Sequence, residues 1–134
     1  MDAADVLDRK ILVVDDQQAN VLLLEQMLRS GGYRAVSATT DPAKVARLHL
    51  VHRYDLILLD LQMPGRDGFQ VLEDLRRAPS GLPPVLVVSA EPELRAGALQ
   101  AGAQDFIAKP FRMDELLRRV QDLLQAGLLH PEPR

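Results

Sequence analysis

Short, nearly unbroken apolar runs alternate along the chain with longer segments whose apolar residues recur at helical spacing. The first run, Ile11 to Val14, stops at Asp15-Asp16. Helix one is predicted from about Ala19 to Arg29, with an apolar face at Leu22, Leu23, Gln26 and Met27, and Gly31-Gly32 ends it. Tyr33 to Ala38 reads as the second strand. Asp41 caps helix two and Pro42 takes its first position. Asp55 to Leu59 is the third strand, stopping at Asp60. The loop Met63-Pro64-Gly65-Arg66-Asp67-Gly68 then leads to helix three, about Phe69 to Arg77. Pro83-Pro84 introduces strand four, Val85 to Val88, ending at Ser89. Helix four runs from Pro92 to Ala101, strand five from Phe106 to Ala108, and helix five from Met113 to Gln125.

Five strand–helix units in alternation predict an α/β fold with a parallel sheet, and right-handed crossovers put helices on both faces. Strands one, three and four are almost wholly apolar, as covered sheets require. Five units suggest the doubly wound, flavodoxin-like (βα)5 arrangement with strand order 2-1-3-4-5, an order carried over from that fold rather than read from spacing. Residues 10–126 are expected to form the domain, residues 1–9 an N-terminal tail, and residues 127–134 a tail or the start of a linker.

Composition narrows the function classes. A net charge of −3 provides no broad basic field for a nucleic-acid backbone, so direct binding to nucleic acid is not expected. The absence of cysteine excludes disulfides and thiolate metal sites and fits a reducing, cytoplasmic setting. The acidic, polar start MDAADVLDRK does not read as a secretory signal, and no apolar run is long enough to span a bilayer. His49, His52 and His130 lack metal-ligand spacing and are expected at the surface. Arg76-Arg77 and Arg118-Arg119 read as solvated helix faces, and Gly65 and Gly68 as turn formers.

The chemistry lies at the strand ends. Asp15 and Asp16 follow strand one, Asp60 strand three, Ser89 strand four and Lys109 strand five. Ligands of open parallel sheets bind beyond these ends, near the switch in strand order. With strands one and three adjacent, roughly 4.8 Å apart, three carboxylates crowd one corner. Their mutual repulsion calls for a cation or protons. An all-oxygen donor set suits a hard ion, Mg2+ above all. Lys109 starts on the order of 10 Å from Asp60, a distance its long side chain can span, and Ser89 lies between them. A carboxylate nucleophile, a divalent cation, an ammonium and a hydroxyl around one point suit phosphoryl transfer. Taken singly, each residue has an ordinary reading: the Asp pair as helix caps, Asp60 as a loop acid, Phe106 as core. Their joint placement carries the site.

Four segments, ILVVDDQ, LILLDLQMPGRDGF, VLVVSA and GAQDFIAKPF, in this order and spacing resemble the response-regulator receiver family from about Lys10 to Leu124. The resemblance implies phosphorylation of Asp60 by a phosphohistidine on a sensor histidine kinase or phosphotransfer protein. It implies Mg2+ held directly by Asp16 and Asp60, largely through water by Asp15, and by the backbone carbonyl of Gln62. Ser89 would hydrogen-bond the phosphoryl group and Lys109 pair with it, with a cis bond before Pro110. Phe106 would turn inward as Ser89 moves. Gly97 is expected to keep helix four easy to move, and Gln62 and Glu91 to tune the phosphorylated lifetime. Arg95 with Glu115, and Asp105 with Arg119, match positions of an activation dimer through helix four, strand five and helix five. An output domain or a downstream protein would read the change. The enzymatic character expected is limited to autophosphorylation and autodephosphorylation. Three other readings remain beside this one. A Mg2+-dependent aspartate phosphatase would want a DxD pair at the end of strand one. An interaction module working without phosphorylation would usually lack one of the residues present here. A flavodoxin-like nucleotide binder would need a Gly-, Ser- or Thr-rich loop after strand one.

Overall fold

The computed structural model describes residues 6–61 and 67–129. Its strands are β1 (Lys10–Val14), β2 (Ala35–Thr39), β3 (Leu56–Asp60), β4 (Val85–Ser89) and β5 (Asp105–Ala108). Its helices are α1 (Gln18–Ser30), α2 (Val45–His52), α3 (Gly68–Arg77), α4 (Arg95–Gln100) and α5 (Met113–Leu129). All strand pairings are parallel, in the order β2-β1-β3-β4-β5, the flavodoxin-like arrangement expected. Among the described residues no helix is long and apolar enough to cross a membrane.

The all-apolar strands follow from the two-residue period of a strand. Ile11, Val13, Leu56, Leu58, Leu86, Val88 and Ile107 belong to one buried cluster, with Val21, Leu24 and Leu28 of α1 and Leu116, Val120 and Leu124 of α5. Leu12, Val14, Ile57, Leu59, Val85, Val87 and Phe106 belong to the other, with α3 residues Val71, Leu72 and Leu75 and Ala98 of α4. β1, β3, β4 and β5 are therefore locked between two layers, and their C-terminal ends are held at a fixed height in the sheet.

Several expectations need correction. The buried stripe of α1 is Val21, Leu24 and Leu28, whereas Leu22 and Leu23 are about half exposed, at 50% and 49%. A run of four apolar residues offers more than one helical stripe, and packing against β1 and α5 selects among them. Helices two and four each begin as a 3-10 turn, Pro42–Lys44 and Pro92–Leu94, which shortens the α-helical parts. At the first of these Asp41 accepts a hydrogen bond from the Ala43 N–H at 3.0 Å, as its capping role predicts. Helix five continues to Leu129. Residues 6–9 are docked: Val6 is buried, Arg34 N–H donates to Leu7 O at 3.0 Å, and Arg9 pairs with Asp55 at 3.3 Å.

His49 is buried, not at the surface. Its Nδ1 accepts the Tyr54 N–H at 3.1 Å and its ring stacks on Tyr54, so it closes the turn from α2 into β3. Arg53 supplies that turn with a left-handed backbone, φ 54°. His52 is exposed, and His130 lies outside the described residues.

Burial pushes the His49 imidazole below its ordinary pKa; the Arg53 charge acts in the same sense and Asp55 opposes it. The unfolded chain therefore binds this proton more readily than the folded one. The stability His49 confers is complete above the unfolded pKa, roughly 6.5, and is lost as pH falls through that value toward the lowered one. Urea midpoints should fall between pH 7.5 and 5.5, and His49→Gln should flatten that slope. The Gly97 expectation yields a second outcome. A methyl there would meet the Phe69 ring at 3.6 Å, an ordinary contact. Gly97→Ala should thus stabilise the fold by about 1 kcal/mol in thermal or urea unfolding and slow amide exchange in α4.

Candidate functional site

The sheet brings the strand-end residues together at its C-terminal edge. β1 and β3 are hydrogen-bonded neighbours, with Val14 opposite Leu59, so Asp15-Asp16 emerge beside Asp60. Carboxylate oxygens of Asp15, Asp16 and Asp60 all lie within 4.8 Å of one another. Asp15 is 1% exposed and Asp60 8%, while Asp16 is half-buried. Asp15 Oδ1 accepts the Gln17 N–H at 2.9 Å, which opens α1. Asp15 Oδ2 is buried, and no described residue donates a hydrogen bond to it.

Lys109 enters from β5. Its Nζ stands 3.6 Å from Asp15 Oδ2, an ion-pair contact longer than a hydrogen bond. The ammonium is thus poised on Asp15, and the Lys109–Pro110 bond is cis as the resemblance implied. Ser89 is fully buried at the end of β4. Its Oγ accepts the Glu91 N–H at 3.1 Å, and its carbonyl accepts the Lys109 N–H at 2.8 Å. The backbone therefore fixes the hydroxyl relative to the lysine. Gln62, expected to add a carbonyl ligand, lies outside the described residues, as do Gly65 and the rest of residues 62–66.

Three carboxylates facing one ammonium leave the pocket with an excess of negative charge. A buried carboxylate oxygen without a donor is costly unless something positive serves it. A hard cation among the three oxygens would answer both demands, and the all-oxygen donor set fits Mg2+. Asp15, Asp16 and Asp60 are the residues that would hold it.

Reading the sequence as turns misses why Gly68 is needed. A Cβ at that position would fall 2.6 Å from Leu61 Cα and 2.7 Å from Asp60 O. The start of α3 thus presses against the backbone that carries Asp60, and Gly68 N–H donates to Leu61 O at 2.9 Å. Asp67 caps α3 by accepting the Gln70 N–H at 2.9 Å. An Asp-Gly pair ahead of a helix signals the cap, but the close approach is a tertiary fact.

Phe106 is 3% exposed and buried on the α3–α4 side of the sheet. Arg119, read as a solvated residue, is instead engaged. Its Nη1 donates to Asp105 Oδ1 at 2.8 Å and to Phe106 O at 3.0 Å, and its Nη2 stands 3.6 Å from Glu115. Arg95 Nη1 donates to Phe106 O at 3.3 Å. The four residues expected at a dimer face are therefore gathered on β5 and its flanking helices, with Asp105 and Arg119 paired inside one chain.

Sheet order and acidic pocket define a class of α/β domain whose carboxylates, gathered at the switch point of its sheet, could hold a hard cation. Comparison with known proteins names the family: the sequence profile of the response regulator receiver domain matches residues 11–121, and the chain belongs to this family. The transcriptional activator protein IrlR of Burkholderia pseudomallei is 38% identical over 122 residues, covering 88% of this chain and 51% of that protein. The transcriptional regulatory protein PrrA of Mycobacterium tuberculosis is 38% identical over 122 residues, covering 90% of this chain and 52% of that protein. The chain spans about half the length of these curated relatives. Among solved structures, the receiver domain of sensor histidine kinase PA1611 from Pseudomonas aeruginosa PAO1 is similar at a TM-score of 0.77 and 34% identity. The match covers 88% of this chain and 98% of that one, and that structure has a magnesium ion coordinated in its active site cleft. The receiver domain of Francisella response regulator 1452 is similar at a TM-score of 0.80 and 30% identity, covering 90% and 99%.

Gly68→Ala should force α3 away from Asp60. The expected result is a loss of about 1–3 kcal/mol in urea unfolding, together with weaker Mg2+ binding measured by calorimetry.

Proposed function

We propose that this receiver domain is a phosphoacceptor switch that takes a phosphoryl group onto Asp60 from a sensor histidine kinase or phosphotransfer protein. The observation that carries the reading is the convergence of Asp15, Asp16 and Asp60 near Lys109 and Ser89, with a buried Asp15 oxygen that has no hydrogen-bond donor among the described residues. An Asp60 carboxylate oxygen attacks the phosphorus of the phosphohistidine. The P–N bond breaks, its electron pair leaves with the imidazole nitrogen, and an acyl phosphate forms. Lys109 exchanges its contact with Asp15 for one with the transferred group, and the Ser89 hydroxyl donates to a phosphoryl oxygen. Mg2+, when bound, neutralises charge on the phosphoryl oxygens. Hydrolysis reverses the state when water attacks the phosphorus, and Gln62 and Glu91 are placed in sequence to influence that step.

A donor must reach Asp60 across the rim of the site. There an apolar hollow of about 280 Å³ is lined by Leu23, Leu24 and Met27 of α1 with Pro110 and Phe111. The half-exposed Leu23 suits it to contact a helical partner. On the output side, Ser89 and Phe106 are the switch pair. Phe106 already occupies the inward place, so phosphorylation would hold this rotamer rather than create it. The α4–β5–α5 face, with Arg95, Asp105, Glu115 and Arg119, would then form a homodimer or meet an output domain or downstream protein. A cytoplasmic location fits this role, with neither nucleic acid nor membrane as a direct partner.

Incubation with Mg2+ and a small-molecule phosphodonor should add a single phosphoryl group by intact mass. The adduct should be absent in Asp60→Asn and without Mg2+, and should form about tenfold or more slowly in Lys109→Ala. A folded chain that takes up no phosphoryl group from any donor would point to an interaction module working without phosphorylation.

A further inference from the structure

At each open edge of the sheet, β2 and β5, an arginine from a flanking helix donates to an outward strand carbonyl. Successive residues of a strand turn their peptide groups to opposite sides. Lys109 N–H donates inward to Ser89 O, so Asp105 and Ile107 face β4 and Phe106 turns both its N–H and its C=O to the open edge. Side chains meet both groups. The N–H donates to Asp105 Oδ1 at 2.8 Å, and the carbonyl accepts from Arg119 Nη1 at 3.0 Å and Arg95 Nη1 at 3.3 Å. Arg119 bridges the arrangement, because the same Nη1 lies 2.8 Å from Asp105 Oδ1. At the opposite edge, Arg29 from α1 donates to Val36 O at 2.9 Å.

An edge strand whose N–H and C=O groups are free is a template for another strand. We propose that Arg95 and Arg119, the latter held by Asp105, are an edge guard: they occupy the Phe106 carbonyl that the β5 edge of a second copy would need. They thereby prevent sheet-to-sheet association of the unphosphorylated domain. A second copy is the partner the geometry fits. Two β5 edges related by a two-fold axis are self-complementary, and Phe106 offers the reciprocal N–H and C=O of an antiparallel pair. A flexible lysine could supply charge here but not the planar fork that reaches carboxylate and carbonyl together. The guard uses within one chain residues also expected at the activation dimer. It does not depend on phosphorylation, and its test omits the phosphodonor.

The full chain is compared with Arg95→Met/Arg119→Met, and with Arg118→Met as a control at the exposed neighbouring position. Sedimentation velocity over a concentration series should show monomers for the wild type and the control and a concentration-dependent dimer for the double variant. In that dimer the Phe106 amide should exchange about tenfold more slowly at high than at low concentration, as an amide newly paired between strands does. The proposal is overturned if the double variant stays monomeric, if the control associates equally, or if the wild type already associates through β5. Should the double variant fail to fold, Arg119→Lys carries the test: weak self-association is expected, and none overturns the proposal.

Discussion

Asp15, Asp16 and Asp60 repel one another, and the rest of the molecule holds them together against that repulsion. Their carboxylates share a corner with oxygens within 4.8 Å, and two of the three residues are buried. A flexible loop would relieve such crowding by swinging outward. Here each aspartate ends or follows a strand clamped between two helical layers, so the sheet keeps them in place. The work of holding like charges close is done by apolar burial far from them, at about 25 cal/mol per Å² removed from water. Gly68 contributes from the other side, since α3 can start against the Asp60 backbone only where no Cβ intervenes. The result is a pocket with an excess of negative charge, which a cation among the three carboxylates would offset.

The same framework connects the pocket to the surface. Ser89 and Lys109 lie at the ends of adjacent strands and are joined by a backbone hydrogen bond, so a pull on one is felt by the other. Three residues before Lys109, Phe106 places its ring in the core and its peptide groups at the open edge of β5. Arg95 from α4 and Arg119 from α5 grip that edge at the Phe106 carbonyl. A change at Ser89 and Lys109 therefore has a short, contiguous route through β5 to two helices. Coupling along such a route requires two discrete arrangements of these contacts separated by a small free-energy gap.

Much of this was legible in the chain. The apolar runs marked the strands because a strand buried on both faces has no polar side to interrupt them. The turn chemistry of Gly31-Gly32 and Asp41-Pro42 marked helix boundaries, since glycine and proline act through their own backbone and Asp41 through a side-chain bond two residues on. Asp15, Asp16, Asp60, Ser89 and Lys109 could be singled out because strand ends are the known reactive edge of a parallel sheet. Less legible were features that depend on what an element packs against. The stripe α1 buries is Val21-Leu24-Leu28, chosen by its neighbours from a run apolar enough for several. His49 looks like any surface histidine until the α2–β3 turn folds over it and offers it the Tyr54 N–H.

The sequence by itself determined the period of each segment, the order of the units and the chemical types at the strand ends, because these depend on residues near one another in the chain. Tertiary structure decided that Lys109 rests on Asp15, that Gly68 lies against the Asp60 backbone, and that Arg119 grips the β5 edge rather than solvent. Each of these joins residues distant in sequence or from different elements, at separations of a few ångströms. Such distances are set by how whole layers pack, and no local pattern encodes them.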